Sequence, residues 1–130
     1  MYHTMIVDDE PLMRTYLTRN IPAFSSLFDV SAAAKDGLEA MELLKEAPVD
    51  VVITDIKMPM ISGLEMAAKV RELRPATQIV ILSGYDSFEY ARTAIDYNII
   101  SYLLKPISSS EMSEELFEIR RRMDEKLGSV

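Results

Sequence analysis

The chain has 130 residues, the material of one domain with a single core rather than two. Its 14 Lys and Arg residues against 21 Asp and Glu residues give a formal net charge of −7, which excludes nucleic acid as the domain's own ligand. The lack of Cys and the presence of a single His, His3, exclude disulfide scaffolds, thiolate enzymes and metal sites built from Cys or His clusters.

Five short apolar runs predict β-strands. They span residues 4–7, 28–33, 51–54, 79–82 and 99–104. The third run, Val51–Thr54, is β-branched throughout, which is typical of a strand buried on both faces in a parallel sheet. Apolar residues recur at helical spacing after each run, and the last of the five predicted helices spans 108–127.

Three helix starts carry capping signals. Asp8-Asp9-Glu10 stands directly before Pro11, so we expect an Asp cap with Pro in the first turn of the first helix. Asp36-Gly37 opens the second helix, and Ser87 is expected to cap the fourth. Strict alternation of strands and helices predicts an α/β fold, a doubly wound five-stranded parallel sheet with helices on both faces. In such a sheet the functional crevice lies at the carboxyl ends of the strands.

Polar residues stand at four of these strand ends. Asp8 and Asp9 follow the first strand, Asp55 the third, Ser83 the fourth and Lys105 the fifth. Carboxylates held close together repel one another, and Mg²⁺, which prefers oxygen ligands, relieves this repulsion. The strand ends therefore predict a magnesium site, at which one carboxylate can act as a nucleophile toward phosphorus while the metal and a Lys neutralise charge.

Four motifs in sequence order carry a family resemblance. They are IVDDEP at 6–11, DVVITDIKMP at 50–59 with Gly63, ILSGY at 81–85 and YLLKP at 102–106. With these motifs, the stretch from about Met5 to about Phe117 resembles the receiver domain of bacterial two-component response regulators. The resemblance implies a flavodoxin-like (CheY-like) sheet of strand order 2-1-3-4-5 and a phosphorylation-dependent signalling switch rather than an enzyme.

The resemblance also implies roles for individual residues. Asp55 is expected to accept a phosphoryl group from a sensor histidine kinase. Asp8, Asp9 and Asp55, with the backbone carbonyl of Lys57, are expected to bind Mg²⁺. Lys105 is expected to pair with Asp55 and later with its phosphoryl group, and the family's bond from Lys105 to Pro106 is cis.

Two residues are implied to act as the switch. The Ser83 hydroxyl is expected to move toward the phosphoryl group, and Tyr102 to change rotamer and fill the vacated space. The surface formed by the fourth helix, the fifth strand and the last helix then changes shape.

The stretch from Leu82 to Ala91 resembles a narrower subgroup, in which an AraC-type helix-turn-helix output domain follows the receiver. We therefore expect a receiver domain at 1–119 and the end of the last helix, leading toward a missing output domain, at 120–130. DNA would be contacted only through that output domain, and phosphorylation could produce a homodimer. The run at 120–122, three arginines, is interpreted as a solvated helix face.

Two other functions stay open on the sequence. The first is a phosphorylation-independent protein-interaction module with a receiver fold. The second is a Mg²⁺-dependent phosphatase with an aspartyl nucleophile, which is disfavoured because such enzymes carry a second Asp where this chain has Lys57. No targeting segment and no run of ~20 apolar residues is present, so we expect a cytoplasmic protein with no membrane partner.

Overall fold

The computed structural model describes residues 1–84, 99–105 and 107–128, with side chains up to residue 125. The strands are β1 (Tyr2–Val7), β2 (Phe28–Ala34), β3 (Val51–Thr54), β4 (Gln78–Ser83) and β5 (Ser101–Leu104). The helices are α1 (Pro11–Phe24), α2 (Gly37–Glu46), α3 (Gly63–Leu73) and the C-terminal helix (Ser109–Gly128). The predicted fourth helix with its Ser87 cap, and the bond to Pro106, lie outside the described residues.

The five strands form one parallel sheet in the order β2-β1-β3-β4-β5, which confirms the predicted fold and strand order. Val7 pairs with Thr54, and Thr54 pairs with Ile81, so β1 and β3 end level while β4 continues to Ser83. We call this side of the sheet the carboxyl edge and the opposite side the amino edge. The pairing of β1 with β2 shifts by one residue between Thr4 and Met5.

The core consists of two clusters, one on each face of the sheet, because successive side chains of a strand point to opposite faces. The first cluster joins the sheet to α2 and α3 through buried residues that include Met5, Val52, Ile81, Leu44 and Met66. The second joins it to α1 and the C-terminal helix through residues that include Ile6, Val80, Leu17, Leu116 and Met123. Helices therefore cover both faces, as predicted.

Several expected element ends differ from the structure by one or two residues, and the expected cap of α1 is wrong. The fifth strand begins at Ser101 rather than Ile99, although the Ile100 N–H still donates to the Ile79 carbonyl at 2.9 Å. Asp does not cap α1, since the N-cap residue is Glu10 and no side chain caps it. The reason is that the Asp8 carboxylate is engaged elsewhere, as described below. Pro11 occupies the first turn, as predicted.

Two other helices start with ordinary capping chemistry. Asp36 caps α2, as predicted, because its carboxylate accepts a hydrogen bond from the Glu39 N–H at 2.8 Å. Ser62, which was not among the predicted caps, precedes α3 and forms a capping box in which its hydroxyl and the Glu65 side chain each accept from the other residue's backbone N–H.

The C-terminal helix packs along its length on the sheet through Met112, Leu116, Ile119 and Met123, all buried. Packing on the sheet thus continues beyond residue 119, to Met123. The division into a receiver domain at 1–119 and a linker at 120–130 stays a prediction. Arg121 and Arg122 are exposed, as predicted for a solvated face, but the Arg122 guanidinium also donates to the Ile100 carbonyl at 2.6 Å. In the described part of the chain no helix is long and apolar enough to cross a membrane.

The amino edge of the sheet holds three carboxylates, each with its own donor. The Asp50 carboxylate accepts from the His3 N–H at 2.7 Å, and Asp29 lies 2.9 Å from His3 Nδ1. Asp124, on the C-terminal helix, accepts from the Tyr2 hydroxyl. This hydrogen bond, with partial burial of the ring, raises the pKa of Tyr2 to about 12.

Candidate functional site

Two adjacent strands deliver acidic residues to the carboxyl edge. Asp8 follows β1 and Asp55 follows β3, and the register that pairs Val7 with Thr54 brings the two carboxylates level. The Asp55 N–H donates to the Val7 carbonyl at 3.1 Å, which extends the strand pairing into the site. The site thus follows directly from the parallel pairing of β1 with β3.

Asp8, Asp9 and Asp55 form an acidic cluster. Each offers a carboxylate oxygen, and these three oxygens lie within 4.8 Å of one another. Asp8 is buried, Asp55 is partly buried and Asp9 is exposed. The cluster is therefore open to solvent on the Asp9 side and enclosed on the Asp8 side.

Asp8 accepts hydrogen bonds from three donors. Its Oδ1 accepts from the Glu10 N–H at 2.9 Å, and its Oδ2 accepts from Lys105 Nζ at 3.0 Å. Its backbone carbonyl accepts from the Arg14 guanidinium at 2.9 Å. These bonds explain why Asp8 does not cap α1, and they fix its carboxylate toward the crevice.

Asp55 is held in a comparable way. Its Oδ1 accepts from the Ile56 N–H at 2.6 Å, and its Oδ2 accepts from Lys105 Nζ at 3.1 Å. Gly63, the first residue of α3, passes so close that a Cβ atom there would lie 1.9 Å from the Asp55 carbonyl oxygen. Only glycine fits at this position without moving the backbone that carries Asp55.

Lys105 is the one described cation that bridges two of the clustered carboxylates. Burial of its ammonium opposes the charged form, and this is the largest single effect on its pKa. The hydrogen bonds to Asp8 and Asp55, together with their negative charges, outweigh burial, so the pKa of Lys105 is raised above its ordinary value. Lys105 is thus held as a cation between the two strand ends.

The remaining predicted residues surround this group. Ser83 is fully buried at the end of β4, and its carbonyl accepts from the Lys105 N–H at 2.8 Å. Tyr102 lies opposite Ile81 on β5 and packs, partly buried, against the core cluster of α2 and α3. Lys57 is exposed, two residues after Asp55. Direct side-chain bonds or close oxygen distances join Asp8, Asp9, Asp55 and Lys105. The roles of all seven residues stay predictions.

The donor set fits a hard divalent cation. Three carboxylates against one ammonium leave two negative charges unbalanced, and carboxylate oxygens are the ligands that Mg²⁺ prefers. A metal ion would relieve the repulsion that Lys105 relieves only in part. The cluster could therefore bind a metal ion, and Mg²⁺ stays our prediction for its identity.

Sequence reasoning missed two contacts in this site. Lys105 was expected to pair with Asp55 alone, whereas it also binds Asp8, a contact that the register of β1 with β3 could have indicated. Gly63 was quoted with the motif at 50–59, but apart from the glycine itself nothing in the sequence indicates its close approach to Asp55.

The response regulator receiver domain family matches residues 4–117, and the chain belongs to that family. It is similar to an uncharacterized response regulatory protein of Staphylococcus epidermidis, with 35% identity over 126 residues covering 97% of this chain and 49% of that protein. It is similar at 34% identity, with the same coverage, to the transcriptional regulatory protein HptR of Staphylococcus aureus. The chain thus spans about half the length of these curated relatives.

Solved structures agree with this assignment. The receiver domain of AraT, a response regulator from Geobacillus stearothermophilus, superposes with a TM-score of 0.86 at 32% identity, covering 97% of this chain and 98% of that one. The response regulator domain of Thermotoga maritima CheB gives 0.83 at 30% identity, with coverage of 95% and 97%.

Proposed function

We propose that this domain is a phosphorylation switch in which Asp55 accepts a phosphoryl group from a sensor histidine kinase. One observation carries the proposal: Lys105 Nζ bridges Asp8 and Asp55 beside a cluster of three carboxylates at the carboxyl edge. Mg²⁺ would be bound by Asp8, Asp9, Asp55 and the Lys57 carbonyl, and it would supply positive charge to the transferring phosphoryl oxygens.

The transfer forms one bond and breaks one. An Asp55 carboxylate oxygen bonds to phosphorus while the bond between phosphorus and the kinase's histidine nitrogen breaks, and the electron pair stays with that nitrogen. Lys105 already donates to Asp55, so its ammonium is in place to stabilise charge on the phosphoryl oxygens. The backbone N–H of Ile56 orients the acceptor carboxylate.

Phosphorylation adds about −1.5 to −2 charges and three strong hydrogen-bond acceptors at this edge. Lys105 and the Ser83 hydroxyl would reorient to bind these acceptors, and Tyr102 would change rotamer. Support comes from a backbone hydrogen bond between Ser83 and Lys105, in which the Ser83 carbonyl accepts from the Lys105 N–H at 2.8 Å. This bond would couple a movement of one residue to the other.

The output we propose is transcription, through an AraC-type domain following residues 1–119 and the helix end at 120–130. Two findings support this output. The relative HptR is named a transcriptional regulatory protein, and the present chain spans about half of its length. DNA would be contacted only by that output domain, and phosphorylation would favour a homodimer. The proposed setting is the cytoplasm.

Intact mass spectrometry after incubation with Mg²⁺ and acetyl phosphate tests the acceptor. We expect one added phosphoryl group on the native chain and none on Asp55→Asn. Asp50→Asn, which changes a partly buried aspartate at the opposite edge, is the matched control and should still be modified. If the native chain binds Mg²⁺ but is never modified, an interaction module that ignores Asp55 replaces this proposal.

A further inference from the structure

The loop between Asp55 and α3 is fixed at both ends. At its start Ile56 is buried, and its carbonyl accepts from the Gly63 N–H at 2.7 Å. At its end Ser62 forms the capping box of α3 with Glu65. The segment between these anchors contains Lys57, whose carbonyl is the proposed fourth metal ligand.

The middle of this loop is strained. The Ile61 N–H donates to the Pro59 carbonyl at 2.9 Å, which closes a three-residue turn, and Met60 at its centre has φ of 72°. This is the rare and strained form of the γ-turn, and a residue with a Cβ atom adopts it at a cost. The Met60 side chain is 70% exposed, so its own packing does not offset that cost.

The next side chain makes the compensating contact. Ile61 packs against the α2 and α3 core cluster and lies on Gly37, the first residue of α2. A Cβ atom at Gly37 would lie 2.5 Å from Ile61 Cγ1 and 2.6 Å from its Cδ1. No described glycine has positive φ, so the backbone conformation does not call for glycine at Gly37, but an added Cβ there would displace the Ile61 side chain.

We propose that Ile61, lying on Gly37, is a positioning residue for the metal-binding loop. The strained turn at Met60 directs Ile61 onto α2, and this contact holds the segment that carries the Lys57 carbonyl. The inference rests on the proposed function for its metal, but the loop position it predicts can also be measured without metal.

The test titrates MgCl₂ into the 130-residue chain and follows binding by calorimetry. Calorimetry is used because the protein has no Trp whose fluorescence could report binding. Gly37→Ala should displace Ile61 and weaken Mg²⁺ affinity about tenfold, as for other residues that orient metal ligands indirectly. Ile61→Ala should weaken it as well. The double variant Gly37→Ala/Ile61→Ala should bind no more weakly than Ile61→Ala alone, because the clash is gone.

Leu44→Ala is the matched control. It removes a buried side chain of the same helix and the same core cluster, so it should lower the unfolding temperature but leave Mg²⁺ affinity unchanged. In the metal-free protein, amide hydrogen exchange of Ile61 should accelerate in Gly37→Ala and stay native in Leu44→Ala.

Native Mg²⁺ affinity and native Ile61 exchange in a folded Gly37→Ala variant would overturn the inference. If that variant does not fold, Ile61→Val, which removes only Cδ1, is the deciding variant. We expect it to weaken Mg²⁺ affinity about threefold. An unchanged Mg²⁺ affinity in Ile61→Val would overturn the inference. A native chain that binds no Mg²⁺ at all would instead overturn the proposed function, while the exchange measurement still reports on the loop.

Discussion

The two edges of the sheet each gather three carboxylates, but they arrange them differently. At the amino edge Asp29, Asp50 and Asp124 each lie beside a separate polar group of His3 or Tyr2, and Asp124 also pairs with Arg120. At the carboxyl edge oxygens of three carboxylates lie within 4.8 Å of one another, and two of these carboxylates share the ammonium of Lys105. Carboxylates this close repel one another, and a single ammonium balances only one of the three charges. The candidate site therefore differs from the amino edge in how closely its carboxylates are grouped, not in how many there are.

The largest effect we expect comes from the backbone that supports the carboxyl edge. Gly63→Ala places a Cβ atom against the Asp55 carbonyl and should lower the free energy of unfolding by about 3 kcal/mol. Gly84→Ala is the control, because a Cβ there meets nothing within 4 Å, and it should change stability by less than about 0.5 kcal/mol. Urea denaturation of both variants measures the difference; equal effects would remove the special role of Gly63.

Lys105→Met tests the shared ammonium. It leaves Asp8 and Asp55 without their shared cation, so we expect the free energy of unfolding at pH 7 to fall by about 2–3 kcal/mol. Because the pKa of native Lys105 is raised, its contribution is complete below the ordinary Lys pKa and is lost as pH rises through the native value. Added Mg²⁺ should recover part of the loss. A variant as stable as the native chain would show that the carboxyl edge is neutralised by other means.

At the amino edge, Tyr2→Phe removes one donor and should cost about 1 kcal/mol. The native pKa of about 12 lies above the ordinary value of 10.0, so the stabilisation is complete below pH 10 and is lost between about pH 10 and 12. Ultraviolet titration of the phenols, as the difference between native and Tyr2→Phe, measures that pKa. Asp124→Asn should bring it closer to 10; an unchanged value would exclude Asp124 as its cause.

Asp29→Asn should have the smallest effect. Asp29 pairs with His3, whose side chain is about half exposed while that of Asp29 is 37% exposed. Pairs this open to solvent contribute about 0–1 kcal/mol. We expect a change of less than about 0.5 kcal/mol in urea denaturation. A loss comparable with that of Lys105→Met would abolish the proposed contrast between the two edges.

The sequence predicted what depends on local pattern. Short apolar runs located the strands, and the residues directly after them located Asp8, Asp55 and Lys105 at one edge. It did not predict contacts that depend on tertiary register, such as the bond from Lys105 to Asp8. It could not predict φ of 72° at Met60 either, because nothing in a methionine signals a left-handed conformation that only the surrounding loop imposes.

The division of the core into two clusters has a consequence for how the domain can diverge. A sheet one residue thick separates the side chains beneath α2 and α3 from those beneath α1 and the C-terminal helix. Substitutions at separate, non-contacting sites have nearly additive effects on stability. Each face can therefore accumulate volume changes without compensation from the other, so residues beneath the C-terminal helix can change while the loop packed on Gly37 keeps its geometry.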